Sequence, residues 1–156
     1  MHIIRLRGPW QLEPLARYVA RADGSYDRTT ADLPAAFQAT MPADWSATLG
    51  PDFVGVVRYA RNFQRPTGLE PGDKVWLVVE PPRSTATVRL ADQDLGTVSH
   101  GEPAARFDIT QLMADHNDLE IVVRHSKFDE DHPTGRDPLD APGGLVGEVR
   151  LEIEPA

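Results

Sequence analysis

The sequence has no cysteine among its 156 residues. Disulfides, zinc–thiolate sites and cysteine nucleophiles are therefore excluded, and the absence fits a reducing compartment. Basic residues are also few, with 16 lysines and arginines against 24 acidic residues and a net charge of −8. They form no run, so we expect neither nucleic acid nor an anionic membrane as a partner.

Long apolar runs are missing as well. The apolar run near the N-terminus is only Ile3–Ile4, which is too short for a secretory signal. No stretch approaches the length of a membrane span. If the chain is complete we expect a cytoplasmic protein, and if it was cut from a longer protein its location stays open.

Turn-forming residues are abundant, with 14 prolines and 12 glycines. They separate short runs that are rich in valine, isoleucine, threonine and aromatic residues, a pattern that is typical of an all-β sandwich. The length suits one domain. We therefore predict a single antiparallel β-sandwich domain over residues 1–156.

Alternation of apolar and polar residues with period two predicts the individual strands. The clearest are VGVVRYARNF (54–63), DKVWLVVE (73–80), TATVRLA (85–91), LEIVVRH (119–125) and GEVRLEIE (147–154). We expect Trp10 and Trp76 to be mostly buried.

Two segments are less clear. Residues 12–20 fit either a helix or an irregular edge strand, because their apolar residues recur at helical spacing. Residues 107–117 predict one short helical turn, with Leu112 and Met113 packed inward.

A collinear series of motifs runs through the chain. It consists of L-x-G-x-W (6–10), MPADW (41–45), FVGVVRYARNFQRP (53–66), TATVRLADQDLGTVSHG (85–101), RFDITQL (106–112), NDLEIVVRHS (117–126) and GGLVGEVRLEI (143–153). The series resembles the N-terminal sugar-binding domain of glycoside hydrolase family 2, the β-galactosidase and β-glucuronidase relatives. The resemblance implies a galactose-binding-like jelly roll of two antiparallel sheets. The family's catalytic α/β barrel has no counterpart in this chain.

The sequence departs from the family pattern at three places. The asparagine-glycine hairpin is replaced by Asp92-Gln93-Asp94, and the aromatic residue before F-D-I-T by Ala104-Ala105-Arg106. The arginine or aromatic residue often found in the closing segment is replaced by Val146-Gly147. These departures favour an alternative, a structural or protein-interaction domain that has lost sugar binding.

Catalytic groups are not evident in the sequence. Glycoside hydrolysis needs two carboxyl groups about 5–10 Å apart, and no acid pair stands in a motif that would position one. We therefore expect no catalytic residue and no required cofactor. The expected function is a non-catalytic carbohydrate-binding module, either free-standing or accessory to a glycoside hydrolase. A third alternative is the N-terminal fragment of a larger glycosidase, and another copy of the chain is a further candidate partner.

Sugar sites combine aromatic faces for stacking with polar side chains that bond hydroxyl groups. The candidates of these types in predicted loops are Tyr26, Trp45, His100, Arg106, Phe128 and His132. Phe128 and Tyr26 rank above Trp45, because in the family the tryptophan of the proline-x-x-tryptophan turn packs at the rim of the sandwich. For each candidate the alternative is a purely structural role.

An acidic cluster in the polar segment 126–144 is a candidate calcium site. Asp129 and Asp131 are the proposed ligands, since calcium prefers carboxylate and carbonyl oxygens. The alternative is an acidic loop that is merely solvated. His125 and His132 are seven residues apart and make only a weak candidate for zinc.

Arg61 shares one strand face with Tyr59 and Phe63, whereas Arg58 points to the other side. A charge on an apolar face needs a partner. We therefore predict that Arg61 pairs with an acid or with a backbone carbonyl.

Overall fold

A computed structural model describes residues 1–126 and 141–156. In this part of the chain eleven β-strands and one short helix form, and all the strand pairings are antiparallel. The elements are β1 His2–Arg5, β2 Trp10–Ala20, β3 Tyr26–Thr29, β4 Phe37–Ala39, α1 Ser46–Leu49, β5 Gly55–Gln64, β6 Lys74–Val79, β7 Thr85–Leu90, β8 Gln93–Ser99, β9 Ala105–Asp108, β10 His116–His125 and β11 Val149–Glu154. The predicted all-β antiparallel sandwich is confirmed. No helix among the described residues is long and apolar enough to cross a bilayer.

The strands form two sheets that enclose one core. The four-stranded sheet has the order β1-β11-β6-β9, and the seven-stranded sheet has the order β3-β2-β5-β10-β7-β8, with β4 also paired to β2. On β10 the alternation predicted from the sequence is observed, since Leu119, Ile121 and Val123 are buried. Burying each such side chain contributes about 1.5–3 kcal/mol, so this alternation supplies the driving force for stacking the sheets.

Residues 12–20 belong to strand β2 and not to a helix. Trp10, Leu12, Pro14 and Ala16 are buried while the residues that alternate with them are more exposed, as a strand requires. The pairing of β2 with β5 shifts register between Pro14 and Ala16. Proline lacks the N–H needed for a ladder hydrogen bond and is therefore placed at such irregularities.

The segment after β9 forms a single turn. The N–H groups of Leu112 and Met113 donate to the carbonyl of Ile109 at 3.0 and 3.1 Å. Met113 is buried as predicted, but Leu112 is 38% exposed, so its predicted inward packing is wrong. One turn presents only one side to the core. The helix α1 lies instead directly after Trp45, where no helical pattern was visible.

One short turn recurs at three places where an aspartate precedes serine or threonine by two residues. In each, Oδ1 accepts a hydrogen bond from the backbone N–H and another from the hydroxyl: Asp23 with Ser25, Asp44 with Ser46 and Asp108 with Thr110. The hydroxyl contact is 2.6 Å in all three. These bonds favour the ionised carboxylate and hold the pKa of each aspartate below its usual value.

Trp10 and Trp76 differ in burial. Trp10 is fully buried, and its Nε1 donates to the carbonyl of Leu6 at 2.7 Å. Trp76 is half-buried on the outer face of the four-stranded sheet, with the Arg106 guanidinium 4.8 Å from its ring. The prediction of burial is therefore confirmed fully for Trp10 and only in part for Trp76.

This difference predicts unequal effects of truncation. Trp10→Ala should lower the free energy of unfolding by about 3–5 kcal/mol, the usual cost of emptying a core aromatic site. Trp76→Ala should cost about 1–2 kcal/mol, because a partly exposed cation–π contact contributes less. Urea denaturation followed by circular dichroism measures both, and equal losses would contradict the assignment of Trp76 to the outer face.

The turn at Asp44 predicts a pH effect on stability. Because the folded-state pKa of Asp44 is lowered, its contribution is present above the unfolded-state pKa of about 3.9 and is lost as pH falls through the folded-state value. Asp44→Asn keeps an acceptor oxygen but cannot ionise. Its melting temperature should therefore fall less than that of the wild type between pH 5 and acid conditions. Asp52→Asn, at an exposed position, is the matched control. If the melting temperatures of Asp44→Asn and wild type fell equally with decreasing pH, the effect would be refuted.

Candidate functional site

A row of outward-facing side chains crosses the seven-stranded sheet. Strand register places its members side by side, in the order Gln38, Gln11, Ala60, Glu120, Arg89 and Asp94. Because neighbouring strands lie about 4.8 Å apart, the row is about 24 Å long. Ala60 stands near its middle, and its short side chain leaves a depression between longer ones.

Three adjoining depressions follow this row and form one groove. The central one has a volume of about 380 Å³, and those beside it have volumes of about 340 and 290 Å³. We call the connected feature the sheet-face groove and define it by the outward side chains Gln11, Gln38, Arg58, Ala60, Asn62, Arg89, Asp94, Asp118 and Glu120. Arg61 also lines two of the three depressions. Small-ligand sites commonly have about 300–1,000 Å³, so the groove is large enough for one.

Side-chain amides are concentrated at one end of the groove. Gln11, Gln38 and Asn62 line the same depression, and none of the three amides has a hydrogen-bond partner in residues 1–126 or 141–156. An amide offers two donor hydrogens and an acceptor oxygen. These groups are therefore available to a ligand that carries hydroxyl groups.

Two arginines of the sheet-face groove, Arg58 and Arg89, are held by acids, whereas Arg61 has no acid partner among the described residues. The Arg58 guanidinium forms ion pairs with Glu13 and with Glu120, the latter at 3.5 Å from Nε to Oε1. The Nε atom of Arg89 lies 3.9 Å from Oδ1 of Asp94. Both guanidinium groups are thus oriented along the sheet by neighbours on adjacent strands.

The outer face of the four-stranded sheet is different, because its charged groups satisfy one another. Arg150 donates to Glu152 at 2.7 Å and to Glu80 at 3.1 Å. Arg106 donates to Glu152 at 3.3 Å and stacks on Trp76. Arg106, a candidate sugar-binding residue, is therefore engaged in this network.

Trp45 has no free ring face for a sugar. It is 2% exposed, its Nε1 donates to the carbonyl of Phe53 at 3.3 Å, and its ring meets Phe53 and His125 edge-on at centroid distances of 5.6 and 6.0 Å. Stacking on a ligand would require the ring to leave this packing. The structure assigns Trp45 to the rim of the sandwich and corrects its candidacy as a binding residue.

His125 is buried beside Trp45, and both of its ring nitrogens are in use. Its Nε2 lies 2.8 Å from the carbonyl oxygen of Ala141, and its Nδ1 contacts the Ser84 hydroxyl. A carbonyl only accepts, so Nε2 donates to Ala141, and Nδ1 shares a hydrogen bond with the Ser84 hydroxyl. This arrangement leaves no ring nitrogen for zinc and corrects the zinc interpretation of His125.

The remaining candidates do not come together. Tyr26 begins β3 at one edge of the seven-stranded sheet, and His100 follows β8 at the opposite edge. Five strand spacings, about 24 Å, separate those edges. His100 lines a separate cleft with Glu80 and Glu102, and Arg106 lies on the other sheet. The structure thus offers no single site built from Tyr26, His100 and Arg106.

Four predicted site residues lie outside the described residues. They are the sugar-binding candidates Phe128 and His132 and the calcium-ligand candidates Asp129 and Asp131. Within the described ranges, no group of three or more histidine, aspartate or glutamate side chains is placed to hold a metal ion.

Comparison with solved structures gives extensive matches to glycoside hydrolases. An FMN-binding β-glucuronidase from Facaelibacterium prausnitzii L2-6 matches 99% of this chain with a TM-score of 0.75 and 27% identity. A β-glucuronidase from Bifidobacterium dentium matches 99% with a TM-score of 0.69 and 20% identity. A rhamnosidase from Novosphingobium sp. PP1Y matches 99% with a TM-score of 0.60 and 26% identity.

The chain has the fold of a domain of the glycoside hydrolase family 2 β-glucuronidases. The resemblance stated from the motifs is thereby confirmed. Neither a protein-family profile nor a curated protein sequence matches the chain. The chain spans only 22% of the first of these β-glucuronidases, 30% of the second and 15% of the rhamnosidase.

This β-glucuronidase-like domain carries a candidate site that sequence reasoning missed. The groove residues come from six strands, and on each strand they alternate with core residues like any solvated polar position. Ala60 gave the one usable signal, a small residue on the polar face of a long strand. Only the register shows that it lies between Gln11 and Glu120.

Arg61 lacks the partner that was predicted for it. Its Nη1 is buried and has no hydrogen-bond partner among the described residues, and desolvation lowers its pKa. The acids pair instead with Arg58, which faces outward. The prediction of a salt bridge or carbonyl partner for Arg61 is therefore wrong.

The unpaired nitrogen predicts a stabilising substitution. An unsatisfied buried donor costs about 1–3 kcal/mol, so Arg61→Met, which keeps the aliphatic stem, should raise the free energy of unfolding by about 1 kcal/mol. Arg58→Met is the control and should be neutral or slightly destabilising, since exposed ion pairs contribute about 0–1 kcal/mol. Chemical denaturation of both variants measures this, and a clear loss of stability in Arg61→Met would show that the guanidinium is paired.

Proposed function

We propose that this chain is a non-catalytic carbohydrate-binding domain that works beside the catalytic domain of a glycoside hydrolase. The observation that carries the proposal is the sheet-face groove, an open polar groove about 24 Å long on a glycosidase-type sandwich. A saccharide lies along the groove and is bound reversibly through its hydroxyl groups.

The side chains in the groove support this function chemically. Unbonded amides at Gln11, Gln38 and Asn62 supply donors and acceptors. The paired Arg58 and Glu120 supply charged groups that are already fixed in orientation. Such pre-organisation lowers the entropic cost of binding.

A catalytic role has less support. The groove carboxylates of Glu120 and Asp94 are engaged by Arg58 and Arg89. A glycosidase needs one carboxyl group in its acid form and a second one across the scissile bond. The domain therefore binds sugar, and cleavage belongs to another part of the enzyme.

Glycan-array screening followed by calorimetry tests the proposal. Wild type should bind at least one oligosaccharide, and Ala60→Phe, which fills the middle of the groove, should weaken that binding by about tenfold or more, or 1.4 kcal/mol. The matched control is Ala20→Phe, at an exposed position of β2 about 30 Å from Gln11.

The melting temperatures of both variants should be close to that of the wild type, because each substitution adds a ring on an outer face and leaves the core unchanged. If Ala60→Phe bound the oligosaccharide with unchanged affinity, the binding site would lie outside the groove. Absence of binding to any glycan would leave the interaction-domain alternative as the function.

A further inference from the structure

We propose that the sheet-face groove holds an anionic group of its saccharide at one end, and that Arg61 is the residue that binds this group. The ligand class is an acidic saccharide, one that carries a carboxylate or a sulfate. This inference rests on the proposed function and specifies its ligand. The end in question is the depression lined by Gln11, Gln38, Asn62 and Arg61, which we call the amide end of the groove.

The charges that line the groove balance as a whole but not at the amide end. Over the three depressions the lining arginines and carboxylates are equal in number, with Arg58, Arg61 and Arg89 against Asp94, Asp118 and Glu120. Among the described residues that line the amide end there is no carboxylate, and Arg61 is the one charged side chain. The whole chain carries −8, but charges more than about 8 Å away are largely screened at physiological ionic strength. An anion at the amide end therefore meets a local positive charge.

Arg61 differs from the other two arginines because no internal acid occupies it. Arg58 and Arg89 are both held by neighbouring carboxylates. In residues 1–126 and 141–156 nothing forms a hydrogen bond or an ion pair with the Arg61 guanidinium. An arginine stays protonated in proteins, so Arg61 is a partly buried cation without a counter-ion. A bound anion would supply that counter-ion without displacing an existing partner.

The end of a strand pairing gives the Arg61 side chain access to the groove. Arg61 lies on the strand face of the fully buried Tyr59, yet it is only half-buried itself. The pairing of β2 with β5 ends at Gln11 and Ala60, so β2 does not pair with β5 at Arg61. Residues 8–9, which precede β2, line the amide end together with Arg61. The side chain thus lies at the margin of the β2–β5 pairing, where the core meets the groove.

The nitrogen atoms of Arg61 divide into a buried one and two accessible ones. Nη1 is buried. Nε and Nη2 also have no hydrogen bond within the described part of the chain, but they are not buried. These two N–H groups share one edge of the guanidinium, and such an edge matches two oxygens of a carboxylate or of a sulfate. The accessible edge is therefore the one that can bind an oxyanion through two parallel hydrogen bonds.

The three amides complete the recognition of an acidic sugar. Gln11, Gln38 and Asn62 each offer two N–H donors and an acceptor oxygen, and none is bonded to another described residue. They can bind the sugar hydroxyls that surround the anionic group. No tryptophan, tyrosine or phenylalanine among the described residues lines any of the three depressions. Without stacking, a charge-assisted contact with Arg61 is the strongest interaction that the groove offers.

The effect of Arg61 on the stability of the free domain is consistent with a binding role. Its unpaired buried nitrogen destabilises the fold, which is why Arg61→Met is expected to be stabilising. Functional sites commonly contain groups that lower the stability of the free protein. A ligand that supplies the missing partner recovers this loss on binding.

The test uses sets of oligosaccharides that differ only at C6. The probes are cellotetraose, β-1,4-galactotetraose and laminaritetraose, each as the neutral chain, as the C6-oxidised uronate and as the 6-O-sulfate. Calorimetry measures the affinity of each. For a backbone that binds, at least one acidic form should bind the wild type about tenfold or more tightly than the neutral form, in line with charge-assisted hydrogen bonds. The two acidic forms show which anionic group the site accepts.

Substitutions at Arg61 test its role directly. Arg61→Met removes the guanidinium and should bind the neutral and acidic forms with about equal affinity. Arg61→Lys keeps the charge but lacks the planar fork, so it should retain only part of the preference. The control Arg28→Met makes the same change of charge at an exposed position of β3, outside the three depressions, and should keep the wild-type preference. Melting curves check that all three variants are folded.

The outcomes separate this inference from the proposed function. If the wild type binds a neutral form as tightly as both acidic forms, the inference fails while the sugar-binding function stands. If Arg61→Met keeps the preference, another group binds the anion and the role of Arg61 is overturned. If Arg28→Met loses the preference as well, net charge sets the selectivity and the inference fails. If none of the nine probes and no array glycan binds, the function and the inference fail together.

Discussion

The sandwich depends on a close approach of backbone to side chains at Gly143 and Gly144. A Cβ on Gly143 would lie 2.4 Å from the Trp45 ring and 2.7 Å from His125, and one on Gly144 would lie 3.1 Å from the Tyr59 hydroxyl. Only glycine permits this contact. The close approach lets the backbone N–H of Trp45 donate a hydrogen bond to the carbonyl oxygen of Gly143, with 3.0 Å between N and O. The segment before β11 is thereby bonded to the segment between β4 and β5. This contact is surrounded by three buried side chains, those of Trp45, His125 and Tyr59.

The same contact explains which sequence motifs were informative about the fold. The tryptophan of MPADW and the paired glycines of GGLVGEV are distant in sequence but make one contact, so a collinear resemblance predicted the architecture well. Alternation predicted β5, β7, β10 and β11, because a strand with one buried face must alternate. Alternation did not decide between helix and strand for β2. The pairing of β2 shifts register between Pro14 and Ala16, so the apolar residues there do not follow a strict period of two. Alternation also gave no sign of α1, which has four residues and buries none of them.

The site could not be predicted in the same way, because it is a property of register. Gln11, Ala60 and Glu120 are ordinary polar-face residues until the pairing places them in one row. The candidates Tyr26 and His100 have suitable side chains in predicted loops, but they lie at opposite edges of one sheet. The burial of Trp45 could not be predicted for a related reason. Its turn-forming neighbours in the sequence suggest an exposed loop, and only its packing partners show that the ring is buried. Composition identifies which residues suit a sugar, and topology decides which of them meet.

The two outer faces show why one of them is suited to binding. On the four-stranded sheet, Arg150 and Arg106 converge on Glu152, which is only 8% exposed, so ligand contacts there would first break internal ones. On the seven-stranded sheet Arg58 and Arg89 are paired, but Nη1 of Arg61 and the amides of the groove are not. A ligand therefore gains new hydrogen bonds without displacing old ones, and net hydrogen bonds are worth only about 0.5–1.5 kcal/mol each. Without an aromatic platform, useful affinity needs several such bonds along the groove. Under the proposed function, the length of the groove, more than any single residue, would make an extended saccharide a better ligand than a single sugar.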